Sequence, residues 1–385
     1  MRIFIITSTY PTQMNIQAGG FVKDQAYALS NAGHEVVVLS VLGLRWRRWN
    51  EIEDSHIHKI KDNNITVYNT RYRGIAQSRI PKIGIYCFNN KLIKMYEEAV
   101  SENGKPDVLY AHFSYPAGYG ASIIAENNNI PLIVLEHHSL LLKNNISRTI
   151  VEALKYTIDR SDEFMCVSKS LKRSVKRLTN TYNSITVLPN ILDSRFTYKP
   201  SVEKSEFVFF SAGNFVKGKA FDVLIKAFIQ AFSNEENVKL LIAGDGPEKS
   251  KFEELITNNN REAQIKLLGR LNRDSMIKNY EFCDCFALAS KRETFGIVYR
   301  EAMAIGRPVI STKNGGIEEG WSDTFGLLTE IDDINGLSYA FKKMKEEINS
   351  YDGKLISNVV LEKYSEETII RQLENKFEKI RIRSK

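Results

Sequence analysis

The chain has 385 residues, of which 43% are hydrophobic and 26% are charged, and its net charge is +7. These proportions exclude a disordered chain, and the length predicts two domains. All of the excess positive charge falls in residues 1–195. This asymmetry favours an anionic partner for the first half, such as nucleic acid, an acidic membrane or a phosphate-bearing substrate. A basic surface without a partner remains an alternative.

The predicted elements alternate between short apolar runs and longer amphipathic stretches. The runs predict strands at 3–7, 35–41, 108–111, 132–136, 163–167, 185–188, 207–212, 239–243, 265–268, 285–288 and 308–311. The stretches predict helices at 21–32, 83–100, 147–159, 169–178, 221–232, 248–258, 273–279, 299–304, 337–346 and 366–382. This alternation predicts parallel sheets covered by helices. A polar stretch at 198–205 precedes a fresh strand, so we place a domain boundary there.

Neither a membrane span nor a disulfide framework is predicted. The apolar run at 36–44 is much shorter than the ~20 residues that a spanning helix needs. Residues 1–11 suit a buried strand better than a signal peptide. Four cysteines, Cys87, Cys166, Cys283 and Cys285, are too few for a disulfide scaffold. We therefore predict reduced thiols in a cytoplasmic protein.

Polar residues that follow predicted strands are the candidates for ligand contact, because open parallel sheets bind ligands at the carboxyl ends of their strands. Glu293 precedes a turn with a glycine, and Glu301 lies in the next helix. A fully helical path between them would span about 12 Å, too far for an acid/base dyad. Residues 293–298 also offer backbone N–H groups at a helix N-terminus, which suits an anion. Two exposed helix glutamates are the alternative.

Three further loops follow strands. Lys217 and Lys219 flank a glycine in a loop that can hold phosphate, although it is not a Walker loop. The sequence at 244–247 is Gly-Asp-Gly-Pro, which lacks the spacing of a dinucleotide fingerprint. Gly19 and Gly20 allow close approach of the backbone to a ligand. Each loop, taken alone, also fits an ordinary turn.

Histidines follow two strands of the first half. His112 ends one strand, and His137 and His138 come directly after the strand at 132–136. A lone histidine is usually structural. No metal-ligand spacing and no Asp-x-Asp pair occurs, so we predict a site that needs no metal.

In combination, these motifs resemble the retaining glycosyltransferases of family 4, the glycosyl transferases group 1. The family signature Glu-x-Phe-Gly-x4-Glu-Ala-Met-Ala-x-Gly-x-Pro-Val stands at 293–309, and Gly-Gly-x2-Glu follows at 315–319. The other motifs fall in family order over nearly the whole chain. The resemblance implies an α/β GT-B fold, with two doubly wound Rossmann-like domains facing each other across a cleft. The acceptor-binding domain would be 1–198 and the donor-binding domain 199–365, with a helix at about 366–385 packing back on the first.

The resemblance also implies roles for single residues. Glu293, His137 and Lys219 would be catalytic: Glu293 and His137 beside the donor sugar, and Lys219 at the diphosphate. Glu301 would accept hydrogen bonds from the ribose. The donor-binding set would be Gly19, Gly20, Asn214, Lys217, Gly269, Arg270, Leu271, Phe295, Gly296, Ile297, Val298 and Glu301. Asn214 departs from the arginine that relatives often carry, and Lys217 could supply that contact. The choice of His137 over His138 rests on alignment.

The implied reaction is retaining transfer of a hexosyl group from a nucleotide sugar, with UDP expected before GDP, and with no cofactor or metal. The acceptor would be a glycan or lipid-linked glycan in the synthesis of a bacterial-type surface polysaccharide or glycoconjugate. The basic, aromatic segment 45–49 suits a membrane interface or a lipid-phosphate acceptor, and a cationic loop without a partner is the alternative. A peripheral position at the inner face of the membrane is the expectation that follows from the first of these. No nucleic-acid-binding module occurs. A non-catalytic GT-B subunit of a glycosyltransferase complex is the alternative, suggested by Asn214. The sequence leaves the sugar, the acceptor and the oligomeric state open.

Overall fold

The computed structural model describes residues 1–11, 19–44, 56–73, 81–143 and 145–383. The chain forms two compact units. Unit 1 comprises Met1–Ile191 and Glu366–Lys385, and unit 2 comprises Leu192–Ser365. The candidate segment 45–49 lies outside the described residues.

The strands and helices alternate along most of the chain. The strands are β1 (Arg2–Thr7), β2 (Glu35–Leu44), β3 (His58–Asp62), β4 (Ile65–Arg73), β5 (Val108–His112), β6 (Leu132–Glu136), β7 (Glu163–Cys166), β8 (Ile185–Val187), β9 (Phe207–Ala212), β10 (Val238–Ala243), β11 (Ile265–Gly269), β12 (Cys285–Leu288), β13 (Val309–Thr312) and β14 (Gly326–Thr329). The helices are α1 (Gly20–Asn31), α2 (Pro81–Asn103), α3 (Tyr119–Asn128), α4 (Arg148–Arg160), α5 (Lys169–Thr179), α6 (Phe221–Ala231), α7 (Lys249–Thr257), α8 (Arg273–Phe282), α9 (Ile297–Ile305), α10 (Ile334–Glu346), α11 (Gly353–Tyr364) and α12 (Glu366–Arg383).

Unit 1 is built on a sheet with the strand order β3-β4-β2-β1-β5-β6-β7-β8. Neighbouring strands are parallel, except that β3 pairs with β4 in the antiparallel sense. The central strands β5 and β6 are buried along their whole length, as expected of a sheet covered on both faces. The chain reverses its direction of travel across the sheet between β1 and β5, which is where such sheets bind ligands.

Helix α12 belongs to unit 1, although unit 2 precedes it in the chain. The ring of Phe377 contacts the rings of Tyr110 and His34, and His34 Nε2 lies 3.0 Å from a carboxylate oxygen of Glu374. The apolar face of α12 is therefore part of the core of unit 1.

Unit 2 is built on a parallel sheet with the order β11-β10-β9-β12-β13-β14. One side of it is filled by a cluster of phenylalanines from β9, α6 and α10, including Phe209, Phe228 and Phe341. The chain reverses its direction of travel between β9 and β12. The α/β class with parallel sheets is confirmed.

Several elements were not predicted from sequence, namely β3, β4, β14, α3 and α11. Strand β3 is exposed and mostly polar, so no apolar run marks it. Helix α3 carries small and polar residues with weak apolar periodicity. Helix α9 begins two residues before the expected position, because Gly296 takes a left-handed conformation (φ 72°) and starts the helix there.

Candidate active site

Lys219 and Glu293 meet at the switch point of unit 2, which is the place between β9 and β12 where the chain reverses its direction of travel across the sheet. The loop after β9 carries Lys219, and the loop after β12 carries Glu293. Lys219 Nζ lies 2.5 Å from Glu293 Oε1, and the two side chains are 24% and 11% exposed. The backbone joins the same loops, since the Lys291 N–H donates to the Gly218 carbonyl at 2.9 Å. Two residues predicted to be catalytic thus form an ion pair at the carboxyl edge of the sheet.

Glycines make room for this pair. A Cβ on Gly316 would lie 2.6 Å from the Glu293 Cβ, so the Gly316 backbone packs directly on Glu293. The Asn314 carbonyl accepts a hydrogen bond from the Glu293 N–H at 3.0 Å, and the Asn314 Oδ1 accepts one from the Gly316 N–H at 3.1 Å. Gly316 and Asn314 therefore hold Glu293 in place.

The N-terminus of α9 is the second part of the site. Its first N–H groups have no intrahelical acceptor and form the positive end of the helix dipole. No acidic residue stands in its first turn. Phe295 turns its ring inward, 5.3 Å from the Tyr364 ring and 4.7 Å from the Arg300 guanidinium, so it can offer a ligand only its backbone. Residues 295–298 thus present backbone donors suited to an anion.

Glu301 lies one turn further along α9 and is buried. Its Oε2 accepts a hydrogen bond from the Tyr280 hydroxyl at 2.9 Å, and its Oε1 lies 3.6 Å from an Arg273 nitrogen. Burial raises the pKa of Tyr280 well above its usual value, and the neighbouring Glu301 adds to this, so the hydroxyl stays a donor. An ionised carboxylate has about four acceptor sites, so a side chain of this type can also accept a hydrogen bond from a ligand hydroxyl.

The remaining predicted donor contacts of unit 2 lie at the same edge of its sheet. Gly269 ends β11 with φ 71°, and its carbonyl accepts the Gly244 N–H at 2.8 Å. Arg270 is exposed, with Nε 3.5 Å from an Asp245 carboxylate oxygen, and Leu271 is half-buried. In the loop after β9, the side chains of Asn214 and Lys217 are exposed.

In unit 1, two histidines meet at the ends of β5 and β6. His112 Nδ1 lies 3.0 Å from His137 Nε2, and both rings are buried. Burial lowers the pKa of His112 to about 3. Burial, with a contribution from His112, also lowers the pKa of His137 well below its usual value. Both rings are therefore neutral at pH 7.

Glu136 fixes the backbone beside these rings. Its buried carboxylate accepts the N–H groups of Ser114, His137 and His138 at 2.8, 2.8 and 2.6 Å. His138 turns outward, and its Nδ1 accepts the Leu140 N–H at 3.1 Å. His137 is thus the histidine that faces inward.

The glycines before α1 lie in the same unit. Gly19 has φ 72°, and a Cβ there would lie 2.6 Å from the Thr9 carbonyl oxygen. Helix α1 begins at Gly20, and the Phe21 ring lies 4.5 Å from the His137 ring. The structure therefore brings Gly20 and His137 into the same neighbourhood at the switch point of unit 1.

Sequence reasoning missed four residues that hold the candidates in place, namely Glu136, Arg273, Tyr280 and Asn314. Glu136 ends β6 and Asn314 lies two residues after the end of β13, and a position at or just after a strand end is a usable signal. Arg273 and Tyr280 lie in a helix, where nothing in the sequence shows that they face Glu301.

The described ranges offer neither a metal-binding cluster nor a membrane-spanning helix. No group of three or more His, Cys, Asp or Glu side chains there could hold a metal ion. No helix there is long and apolar enough to cross a bilayer. The four cysteines are free thiols.

Comparison with known proteins places this geometry in a family. The family model "Glycosyltransferase Family 4" matches residues 18–196, and "Glycosyl transferases group 1" matches 195–356. The N-acetyl-alpha-D-glucosaminyl L-malate synthase of Bacillus anthracis is 27% identical over 97% of this chain and 96% of its own. An uncharacterised glycosyltransferase of Methanocaldococcus jannaschii is 31% identical over 72% of this chain and 76% of its own.

A solved structure shares the fold. Anabaena HepE in complex with UDP aligns with a TM-score of 0.74 at 18% identity, covering 98% of this chain and all of HepE. The chain belongs to glycosyltransferase family 4 and has the GT-B fold.

Proposed function

We propose that this protein transfers a hexosyl group from a UDP-sugar, with retention at the anomeric carbon, to a glycan or lipid-linked glycan. The observation that carries the proposal is the ion pair of Lys219 and Glu293 beside the N-terminus of α9, at the switch point of unit 2. The bound UDP of HepE and the N-acetylglucosaminyl product named for the Bacillus relative support a nucleotide-sugar donor.

The proposed reaction requires positive charge near the leaving diphosphate. As the glycosidic bond to the donor breaks, the diphosphate gains negative charge. The Lys219 ammonium and the N–H groups at 295–298 are fixed donors that can stabilise it. They supply the charge that a metal ion supplies in other transferases, so we propose transfer without a metal.

The other candidates take complementary roles. Glu301 accepts hydrogen bonds from the ribose, and Gly269, Arg270 and Leu271 border the base. Glu293, oriented by Lys219, contacts the donor sugar. In unit 1, the neutral His137 lies beside the sugar, and Gly20 lets the backbone approach the diphosphate. An acceptor hydroxyl that attacks on the face that the diphosphate leaves, and passes its proton to the departing phosphate oxygen, would form the new glycosidic bond with retention of configuration.

Calorimetry tests the proposal. UDP, GDP, ADP and CMP are titrated into the wild type, into Glu301→Ala, and into Glu253→Ala, which removes an exposed glutamate of α7. We expect UDP to bind the wild type and the control alike and to bind Glu301→Ala far more weakly. Equal binding to Glu301→Ala would contradict the site. If no nucleotide binds the wild type, the donor proposal fails and a non-catalytic subunit becomes the better hypothesis.

We also propose that unit 1 contacts an anionic membrane from the cytoplasmic side. Helix α5 supports this, because its eleven residues include five basic and no acidic side chains, namely Lys169, Lys172, Arg173, Lys176 and Arg177. We expect the protein to float with phosphatidylglycerol vesicles at low salt and to be released at high salt. Arg173→Glu with Lys176→Glu should abolish flotation, and absence of wild-type binding at low salt would contradict the contact.

A further inference from the structure

Tyr280 is a buried tyrosine that the proposed reaction does not use directly. It lies on α8, and its ring packs against Phe210, Phe286 and Phe196 with centroids 5.1, 5.6 and 5.9 Å away. Its hydroxyl reaches the Glu301 Oε2 at 2.9 Å and the Val298 carbonyl oxygen at 3.1 Å. It therefore touches both the carboxylate proposed for the ribose and the backbone proposed for the diphosphate.

We propose that Tyr280 is a positioning residue that sets the preference of the donor site for ribonucleotides over 2′-deoxyribonucleotides. The proposal rests on the proposed function, since it acts through the role of Glu301. Tyr280 itself need not touch the nucleotide.

The Tyr280 hydroxyl has a single proton to donate. It can be donated fully to one acceptor, and a carboxylate is a stronger acceptor than a carbonyl. Donation to Oε2 restricts the rotation of the Glu301 side chain and so sets the direction in which its carboxylate meets the two ribose hydroxyls. Arg273, 3.6 Å from Oε1, favours the charged form of the same carboxylate.

Without the hydroxyl, Glu301 would remain buried but could rotate away from the ribose. A ligand with both ribose hydroxyls then loses more binding affinity than a ligand with only one. The preference is thus a property of the orientation of Glu301, which Tyr280 holds.

The test compares UDP with 2′-deoxy-UDP on the wild type, Tyr280→Phe and Tyr110→Phe. The Phe variant keeps the ring in its packing and removes only the hydroxyl. Tyr110→Phe is the matched control, because Tyr110 is equally buried and donates its hydroxyl to Gln25 at 2.6 Å in unit 1. We expect Tyr280→Phe to weaken the binding of UDP about tenfold and the binding of 2′-deoxy-UDP about threefold. The control should change neither affinity.

A double-mutant cycle with Glu301→Gln gives a second measurement. If Tyr280 acts through the carboxylate, Tyr280→Phe should weaken UDP binding much less in the Glu301→Gln background than in the wild type. Equal weakening of UDP and 2′-deoxy-UDP, or an undiminished effect in that background, would overturn the proposal while leaving the proposed function standing. Failure of the wild type to bind any nucleotide would overturn both.

Discussion

The ammonium of Lys219 and the carboxylate of Glu293 neutralise each other while no donor is bound. Both are partly shielded from water, so neither is fully hydrated. A diphosphate that approaches Lys219 therefore meets a cation whose hydration has already been partly removed, and the attraction is stronger than it would be at an open surface. The ion pair therefore keeps Lys219 in a state that favours binding of an anion.

Replacing Lys219 with Gln tests this role. We expect kcat/KM for sugar transfer to fall by about 100-fold or more, because a fixed donor at the developing charge is lost. Steady-state kinetics would measure it, with Lys226→Gln on the exposed face of α6 as the control. A loss shared by the control, or no loss, would contradict the assignment.

The buried histidines make a prediction about stability. In the folded protein the pKa of His112 is about 3, whereas in the unfolded chain it is near 6.5. Between these values the unfolded chain binds more protons, so stability falls as the pH is lowered. His112 alone should cost about 2 kcal/mol of unfolding free energy between pH 7 and pH 5. Urea unfolding at both pH values should show this loss in the wild type and a smaller one in His112→Asn. An identical pH dependence would contradict it.

In α9, one glycine positions both the backbone donors and the Glu301 side chain. Gly296 starts the helix, which sets backbone donors at 295–298 and the Glu301 side chain one turn later. Tyr299 fills the space that a side chain on Gly296 would need, with 2.6 Å between the would-be Cβ and the ring. The first turn is therefore determined by packing as well as by conformation.

Substitution of Gly296 by Ala should damage both fold and binding. The left-handed conformation and the contact with Tyr299 together should cost about 1–3 kcal/mol of stability in unit 2, and nucleotide binding should weaken. Gly33→Ala is the matched control, because Gly33 has φ 88° but nothing lies within 4 Å of its would-be Cβ. Denaturant unfolding and calorimetry measure the two effects. Equal stability losses in the two variants would contradict the packing argument.

Part of the fold and part of the site could be predicted from the sequence. The buried strands and long helices carry strong apolar patterns, so β1, β5, β9 and α1 were predicted to within a residue or two. Strand β3 could not be, because it lies at the edge of the sheet with little apolar content. In the site, the strand ends and glycines revealed Lys219 and Glu293, whereas Tyr280 depends on how α8 packs on α9. Such packing has no local sequence signal.

Helix α12 completes unit 1 from a distant part of the chain. Its side chains Ile369, Leu373 and Phe377 are buried. Without this helix an apolar face of unit 1, including the Tyr110 ring, would be open to water. The stability of unit 1 thus depends on residues that follow unit 2 in the sequence.

Leu373→Ala should lower the unfolding free energy of unit 1 by about 2–4 kcal/mol, through lost burial and a cavity. Leu355→Ala, at a position in unit 2 that is 47% exposed, should cost less than about 1 kcal/mol. Hydrogen exchange would show loss of protection in unit 1 alone for Leu373→Ala. Equal loss in both units would contradict the assignment of α12.

The path of the chain has a consequence for synthesis. Residues of unit 2 leave the ribosome before the last turn of α12, so unit 1, although translated first, lacks one of its helices until unit 2 has been made. Domains generally fold as units during translation, and here the earlier unit cannot be completed before the later one is synthesised. Until then the apolar face around Tyr110 stays uncovered.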